Sequence, residues 1–185
     1  MMRALGVDDG YFGSRSGTAP FVGVLMRGPL VEGIVFRRIT VDGLDVTEVL
    51  EEVLTRTKYS DQVRVVFTSG TVFGGTNVLD MRRVYDSCGL PVISVMRRPP
   101  GRGFRRAMER SPNAPAVLEI LERNPPVERL ETGRGTLFVQ YIGMGPADVK
   151  RVVEDYQIYS ALPEPLRLAH MIASAVGLGE SRGRP

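Results

Sequence analysis

Two adjacent carboxylates at the end of a hydrophobic run are the first residues in the chain that could do chemistry. The run occupies residues 5–7, and Asp8 and Asp9 follow it directly. Glu48, near the start of a predicted helix, could supply a further carboxylate at the same end of a sheet, although helix capping also explains its position. Carboxylates grouped in this way could hold Mg²⁺ or Mn²⁺ for phosphodiester hydrolysis.

The third ligand position of such a site is occupied by a serine. Ser69 ends a predicted parallel strand that would lie beside the strand of Asp8. A neutral hydroxyl is a poor Mg²⁺ ligand, because this ion prefers charged or strongly polar oxygens in octahedral geometry. The residues alone therefore predict an incomplete metal site, formed by Asp8 and Glu48 with Ser69 and Asp9 as weak additions.

Further candidates for phosphate binding lie in the middle of the chain. Gly74 and Gly75 could let the backbone approach a phosphate, but a two-glycine turn is the alternative. Exposed arginines could neutralise phosphates along a nucleic-acid groove, or they could belong to a solvated loop. These arginines are Arg97, Arg98, Arg102, Arg105, Arg106 and Arg110. His170, on an apolar helix, is either a packing residue or a general base, and Glu164 could pair with Arg167 three residues later.

Composition limits the class of protein and the kind of metal site. The chain has 185 residues, of which 43% are hydrophobic and 24% charged, which is typical of one globular domain. Cys88 and His170 are the only cysteine and histidine, so neither an internal disulfide nor a tetrahedral zinc site is expected, and a metal would be bound through oxygen. The chain has no apolar run long enough for a membrane span and no secretory signal pattern, so we expect a cytoplasmic protein.

The positive residues are almost all arginine, which bears on possible partners. Only two of the 24 lysine and arginine residues are lysines, Lys58 and Lys150, and the formal net charge is +3. Arginine suits phosphate recognition. The same bias also follows from a GC-rich genome or from life at high temperature, so it is weak evidence for nucleic acid by itself.

The order of predicted elements indicates how the candidate residues are positioned. Residues 5–7, 21–26 and 31–41 are predicted strands, the last two forming a hairpin, and residues 45–54 form an amphipathic helix with a capping box from Asp45 to Glu48. A strand at 62–67, a helix at 78–88 and a strand at 91–96 form a βαβ unit. A helix at 116–123, a hairpin of 127–130 with 136–141, and helices at 146–156 and 161–177 complete the chain.

This order predicts an α/β protein with a ribonuclease H-like mixed sheet, in which three antiparallel strands precede a parallel βαβ unit. Helices flank the sheet. We expect residues 1–185 to form a single domain, with a loose basic tail at residues 179–185.

Several segments resemble a largely archaeal family known as domain of unknown function ninety-nine. They are G-V-D-D-G-Y-F, S-G-T-V-F-G-G-T-N-V-L-D, G-L-P-V-I-S-V, L-P-E-P-L-R-L-A-H-M-I-A-S and a terminal G-E-S-R-G-R. The resemblance extends over essentially the whole chain. That family in turn looks like a distant relative of endonuclease V, a ribonuclease H-like enzyme that cuts nucleic acid near deaminated purines using Mg²⁺.

The resemblance implies a role for three residues of this chain. The G-V-D phrase places the metal-binding aspartate of endonuclease V on Asp8, and L-D-V-T-E places its catalytic glutamate on Glu48. Its second aspartate falls on Ser69, which removes a charge from the implied metal site. The His-Pro-Arg and Tyr-Ile-Pro phrases of endonuclease V have no clear counterpart here.

Two functions are expected from these observations. The first is nucleic-acid binding, to DNA or RNA, with weak or absent hydrolysis of phosphodiesters in the presence of Mg²⁺ or Mn²⁺. The alternative is a non-catalytic binding protein that keeps the fold and has lost the metal site.

Overall fold

A computed structural model describes residues 1–14 and 17–182. The strands are β1 (Arg3–Asp9), β2 (Thr18–Arg27), β3 (Leu30–Thr40), β4 (Val65–Ser69), β5 (Val72–Phe73), β6 (Asn77–Val78), β7 (Val92–Met96), β8 (Glu128–Thr132) and β9 (Gly135–Ile142). The helices are α1 (Val46–Arg56), α2 (Met81–Cys88), α3 (Phe104–Glu109), α4 (Ala114–Arg123), α5 (Pro146–Tyr156) and α6 (Glu164–Leu178).

Seven of the strands form one mixed sheet. Their order is β3-β2-β1-β4-β7-β9-β8, with β1, β4 and β7 parallel and the remaining neighbours antiparallel. The predicted ribonuclease H-like mixed sheet is therefore confirmed. The hairpin of β8 and β9 was expected, but its union with the sheet through β7 was not. Because β1 and β4 are adjacent and parallel, Asp8 and Ser69 lie at the same edge, formed by the carboxyl ends of the parallel strands.

Helices cover both faces of the sheet. Side chains alternate along β1: Leu5 and Val7 pack in the core beneath α1 and α2, whereas Ala4 packs in the core beneath α5 and α6. This alternation turns Asp8 toward α6 and Asp9 toward the opposite face.

Glycines let α6 lie directly on β1. A Cβ atom at Gly6 would stand 2.6 Å from the backbone nitrogen of Leu166, and one at Gly10 would stand 2.8 Å from the carbonyl carbon of Ala173. Real Cβ atoms essentially never approach other heavy atoms within 3.0 Å. The two glycines therefore set the distance between strand and helix on either side of Asp8.

Three local predictions are corrected by the structure. Asp45 precedes α1, but its carboxylate accepts hydrogen bonds from Thr40 and Asn77 and makes no cap hydrogen bond, so the predicted capping box with Glu48 is wrong. Helix α2 begins at Met81 because residues 77–78 pair with β5. The arginine-rich segment, for which a nucleic-acid groove and a solvated loop were both open and no helix was predicted, contains α3.

The end of the chain and its helices bear on two further expectations. Gly179 ends α6 in the left-handed conformation, and residues 180–182 are exposed. Residues 183–185 of the predicted basic tail lie outside the described residues. Within residues 1–14 and 17–182, no helix combines the length and apolarity that a bilayer span requires.

Candidate active site

Asp8 and His170 meet where β1 passes beneath α6. His170 Nδ1 lies 2.9 Å from Asp8 Oδ2, and Asp8 is only 5% exposed. The other carboxylate oxygen of Asp8 accepts a hydrogen bond of 2.9 Å from the backbone N–H of Asp9. The hydrogen bond between His170 Nδ1 and the Asp8 carboxylate raises the pKa of the imidazole above its ordinary value, against the opposing effect of burial. The pair has the geometry of a carboxylate that orients an imidazole and leaves its Nε2 atom free.

The pKa of the Asp9 carboxyl group lies above its ordinary value. Burial, with the adjacent charge of Asp8, raises the pKa of Asp9 to about 7. Its Oδ2 atom accepts a hydrogen bond of 2.7 Å from the backbone N–H of Gly74, which offsets part of that rise. Asp9 therefore links the end of β1 to the glycine turn on the opposite face.

A pocket of about 340 Å³ opens in front of the pair. We call it the Asp8 pocket; its lining residues are Asp8, Ser69, Gly70, Val95, Met96, Arg97, Leu162, Leu166, Arg167 and His170. The wall contains a carboxylate, an imidazole, a hydroxyl and two guanidinium groups around an apolar base. Such a combination can bind a phosphodiester and hold or move a proton beside it.

A buried ion pair supports the wall on the α6 side. Glu164 is 2% exposed, and its carboxylate receives two hydrogen bonds from Arg167, at 2.5 and 2.8 Å. The predicted pairing of these two residues is confirmed. The guanidinium of Arg167 also lies 5.8 Å from the ring centre of Tyr159, which is 73% exposed. Arg167 is therefore held by the pair at the rim of the Asp8 pocket.

The resemblance to endonuclease V places Glu48 and Ser69 beside Asp8. Of these two residues, only Ser69 lines the Asp8 pocket. Ser69 lines the Asp8 pocket, at the carboxyl end of β4. The Glu48 side chain is 64% exposed and faces α2, where its carboxylate lies 3.7 Å from Arg83. Glu48 therefore has its charge partner on α2 and is not among the residues that line the Asp8 pocket.

Gly74 and Gly75 form a turn against other parts of the chain. Both have positive φ angles, 46° and 86°. The N–H of Gly74 is donated to Asp9, and a Cβ at Gly75 would overlap the carboxylate of Asp42. These contacts agree with the turn interpretation and leave the Gly74 N–H engaged within the protein.

The predicted arginine cluster is exposed but does not form a single surface at the pocket. Arg97 lines the Asp8 pocket, and its charge opposes protonation of His170. Arg105 lies within ion-pair distance of Glu109 and of Glu122, at 3.3 and 3.7 Å. Arg98, Arg102, Arg106 and Arg110 are exposed along the segment that follows β7.

The site does not contain a preformed cage of acidic ligands. Across the described part of the chain, no three His, Cys, Asp or Glu side chains are grouped so that they could hold a metal ion together. Asp8 offers carboxylate oxygens, with the Ser69 hydroxyl in the same pocket. This donor set fits a divalent ion held by one or two carboxylates and completed by water and substrate phosphate, as is common for Mg²⁺.

His170 was underestimated from the sequence. Its position on an apolar helix favoured a packing role, yet the side chain is 45% exposed and faces Asp8. The sequence did contain a pattern that could have indicated a site role for His170. Glu164, Arg167 and His170 follow one another at intervals of three residues and so share one face of α6.

Sequence comparisons identify a family and several archaeal relatives. Residues 1–177 match the family model described as Endonuclease dU. A UPF0215 protein of Methanopyrus kandleri is 39% identical over 184 residues, which cover 97% of this chain and 93% of that protein. A UPF0215 protein of Thermococcus gammatolerans is 39% identical over 187 residues, covering 97% of this chain and 94% of that protein.

Structural comparisons give the fold. A protein of unknown function from Archaeoglobus fulgidus superposes with a TM-score of 0.86 at 32% identity, covering 95% of this chain and 98% of that chain. Human ENDOV gives a TM-score of 0.63 at 15% identity, covering 94% of this chain and 83% of that chain. Endonuclease V of Ciona intestinalis was solved with a 24mer DNA containing an inosine followed by a ribo-adenosine. It gives a TM-score of 0.59 at 12% identity, covering 91% of this chain and 82% of that chain. The expected likeness to endonuclease V is confirmed at the level of fold.

Proposed function

The chain belongs to the Endonuclease dU family, and on that premise we propose that it is an endonuclease that cuts DNA beside deoxyuridine. We take residues 1–185 as one functional domain that works in the cytoplasm. The observation that carries the proposal is the Asp8–His170 pair, at 2.9 Å, in a pocket at the carboxyl ends of the parallel strands. Ligand sites of α/β sheets commonly lie at this edge.

Four residues of the Asp8 pocket would contribute to hydrolysis. Arg97 and Arg167 line the pocket and offer guanidinium groups to phosphate oxygens. Water would attack the phosphorus as the P–O bond to the leaving sugar oxygen breaks. His170 would accept the proton of that water at Nε2 while Asp8 fixes the ring through Nδ1, and the leaving oxygen would take a proton from solvent. Positioned acid–base groups of this kind contribute about 10²- to 10⁴-fold to rate.

Mg²⁺ or Mn²⁺ is the cofactor that this donor set fits. Asp8 would hold the ion, with the Ser69 hydroxyl as a further oxygen and His170 as a neighbouring nitrogen in the same pocket. Asp9, which faces the opposite side of the sheet and accepts a hydrogen bond from Gly74, would not reach it. A bound divalent cation supplies charge stabilisation to the phosphate in the transition state. Ser69 in place of a third carboxylate predicts weak affinity for the ion, and substrate phosphate would complete the coordination.

The experiment is a strand-cleavage assay on matched oligonucleotides. Single-stranded and duplex DNA containing one dU, one dI or neither, and the corresponding RNA, are incubated with the protein in Mn²⁺ or Mg²⁺. Breakage of the backbone without release of free uracil distinguishes an endonuclease from a base-excising enzyme. We expect cleavage of the dU strand, reduced by roughly 10²-fold or more in Asp8→Asn and in His170→Asn.

The matched control is Asp86→Asn, which removes an exposed carboxylate on α2 outside the Asp8 pocket. It should cleave like the wild type. Unchanged cleavage by Asp8→Asn would show that the activity arises elsewhere, and absence of cleavage on every substrate would refute the proposal.

A second candidate function is favoured by Ser69 and by the lack of a preformed acidic cage among the described residues. In it, the protein binds nucleic acid without cutting. Ser69→Asp separates the two candidates, because gain of cleavage only in this variant would identify the natural protein as a binder. Its affinity for oligonucleotides should then fall steeply as the salt concentration rises.

A further inference from the structure

A second, larger pocket adjoins the Asp8 pocket. It has a volume of about 540 Å³, and we call it the Gln140 pocket after the main polar side chain of its wall. Both pockets are lined by Gly70 and Met96, at the carboxyl ends of β4 and β7. Gly70 has a φ angle of 69° and presents no side chain between the two pockets. A ligand can therefore occupy both pockets by passing over Gly70.

The walls of the Gln140 pocket suit a flat, neutral, apolar ring. They include Phe104 of α3, Leu121 of α4, and Pro126 and Val127 from the segment before β8. The charged residue in its lining is Glu122, which would repel a phosphate. Ligand pockets of about 300–1,000 Å³ with apolar walls and few polar groups are the usual sites for small organic groups. These walls suit a nucleobase whose phosphate reaches the Asp8 pocket.

The amide of Gln140 is held in one orientation. Its Nε2 atom donates a hydrogen bond of 2.6 Å to the carbonyl oxygen of Pro125. Because a carbonyl oxygen can only accept, this contact fixes which end of the amide is nitrogen. The Oε1 atom and the second N–H of Nε2 remain for a ligand, so the amide presents one acceptor and one donor side by side.

Unused hydrogen-bonding capacity continues beneath Gln140. Ser94 lies directly opposite Gln140 in the pairing of β7 with β9, so the two side chains share one face of the sheet. Ser94 is fully buried, and its Oγ atom has no hydrogen-bond partner among the described residues. A buried hydroxyl without a partner is costly and calls for an explanation. Ser94 lies behind Gln140 and does not itself line the pocket, so the contacts to a ligand come from Gln140.

We propose that the Gln140 pocket receives the uracil of deoxyuridine, turned out of the DNA strand, and that Gln140 distinguishes it from cytosine. This inference rests on the proposed function, since it places the base whose neighbouring phosphate is cut. Uracil presents O4 as an acceptor beside N3–H as a donor, which match the second N–H and Oε1 of Gln140. Cytosine presents the reverse order, a donor at N4 beside an acceptor at N3. The amide is fixed by Pro125 and the ring by the apolar walls, so cytosine would place its N4 donor opposite the N–H donor of Gln140 and its N3 acceptor opposite Oε1.

The test compares cleavage by wild type, Gln140→Ala and Val127→Trp on DNA with dU, dC or an abasic site at one position. Val127 is 37% exposed at the pocket, so the indole fills the cavity without entering the core. We expect kcat/KM on dU to fall at least about 10-fold in both variants, the scale of one bidentate contact to a base. Cleavage at the abasic site should match that of the wild type, because no base has to enter.

Binding of dUMP and dCMP, measured by calorimetry, keeps this inference separable from the proposed function. If the wild type cuts nothing, the proposed function fails, while tighter binding of dUMP than dCMP, lost in Val127→Trp, still supports the pocket. If the wild type cuts dU and both variants cut it equally well, the pocket assignment is wrong. Equal losses on the dU and abasic substrates would also overturn it, because they would show a general structural defect.

Discussion

The close approach of α6 to β1 makes Gly6→Ala the most direct test of how the fold positions the site. The added Cβ would stand 2.6 Å from the backbone nitrogen of Leu166, whereas ordinary contact begins at 3.4 Å. The two nearest obstructing atoms are backbone atoms of Pro165 and Leu166, so α6 must move outward by at least about 0.8 Å, given the stiffness of packed interiors. A rigid shift of that size lengthens the contact of 2.9 Å between Asp8 and His170 to about 3.7 Å, which is no longer a hydrogen bond.

Two quantities should change together. Overpacking of this kind lowers the free energy of unfolding by about 1–3 kcal/mol. The pKa of His170, which its hydrogen bond with Asp8 raises, should fall toward its ordinary value of about 6.5. Because the folded pKa is the higher one, the pair stabilises the wild type below about pH 6.5, and this contribution is lost as the pH rises through the folded value. The Gly6→Ala variant should lack this pH-dependent contribution to stability.

The assay uses metal-free protein and an NMR titration of the imidazole. His170 is the only histidine, so one imidazole resonance reports the site without assignment. Thermal unfolding at several pH values gives the stability difference. The control is Gly133→Ala, where a Cβ meets no atom within 4 Å. If Gly6→Ala keeps the wild-type His170 pKa and stability, the glycine contact does not set the position of α6. If cleavage is established, a displacement approaching 1 Å should lower it by up to about 10²-fold.

Three further predictions test neighbouring interactions. Asp8→Asn should lower the His170 pKa toward its ordinary value without moving α6, which an NMR titration of the metal-free variant checks; an unchanged pKa would contradict the hydrogen bond. Arg167→Leu leaves the buried carboxylate of Glu164 without its partner and should cost about 3 kcal/mol in chemical denaturation, whereas adding Glu164→Gln should recover most of the loss. Tyr156→Phe removes a buried hydroxyl whose one proton is within reach of the backbone carbonyls of Met2 and Met26 and should cost about 1–3 kcal/mol; a change below about 0.5 kcal/mol would argue against that role.

The central part of the fold was predictable because local patterns and their order agree there. Alternation and β-branched runs marked the strands of the sheet, and the spacing of strand, helix and strand required a parallel crossover. The β5–β6 hairpin and α3 were missed because each is short and follows glycine or proline, which indicate loops by composition. The capping box failed because Asp45 accepts hydrogen bonds from Thr40 and Asn77, and Asn77 lies 32 residues away.

The candidate site was predictable only where its two parallel strands, β1 and β4, end. Asp8 and Ser69 end neighbouring parallel strands, so their shared edge follows from topology. Glu48 could not be placed, because the rotation of α1 about its axis depends on packing against α2, where Arg83 supplies a charge partner. His170 was missed as a site residue because its partner Asp8 is 162 residues away, a separation at which no local pattern carries information.

That separation has a consequence for the way the protein is made in the cell. Asp8 leaves the ribosome early, but the pocket lacks its imidazole and its covering helix until α6 has been synthesised and docked. Domains acquire structure as their segments emerge, starting from the N-terminal end. The Asp8 pocket therefore cannot assemble on a partly synthesised chain, and a product truncated before α6 would lack the imidazole and expose the apolar face of β1 and β2.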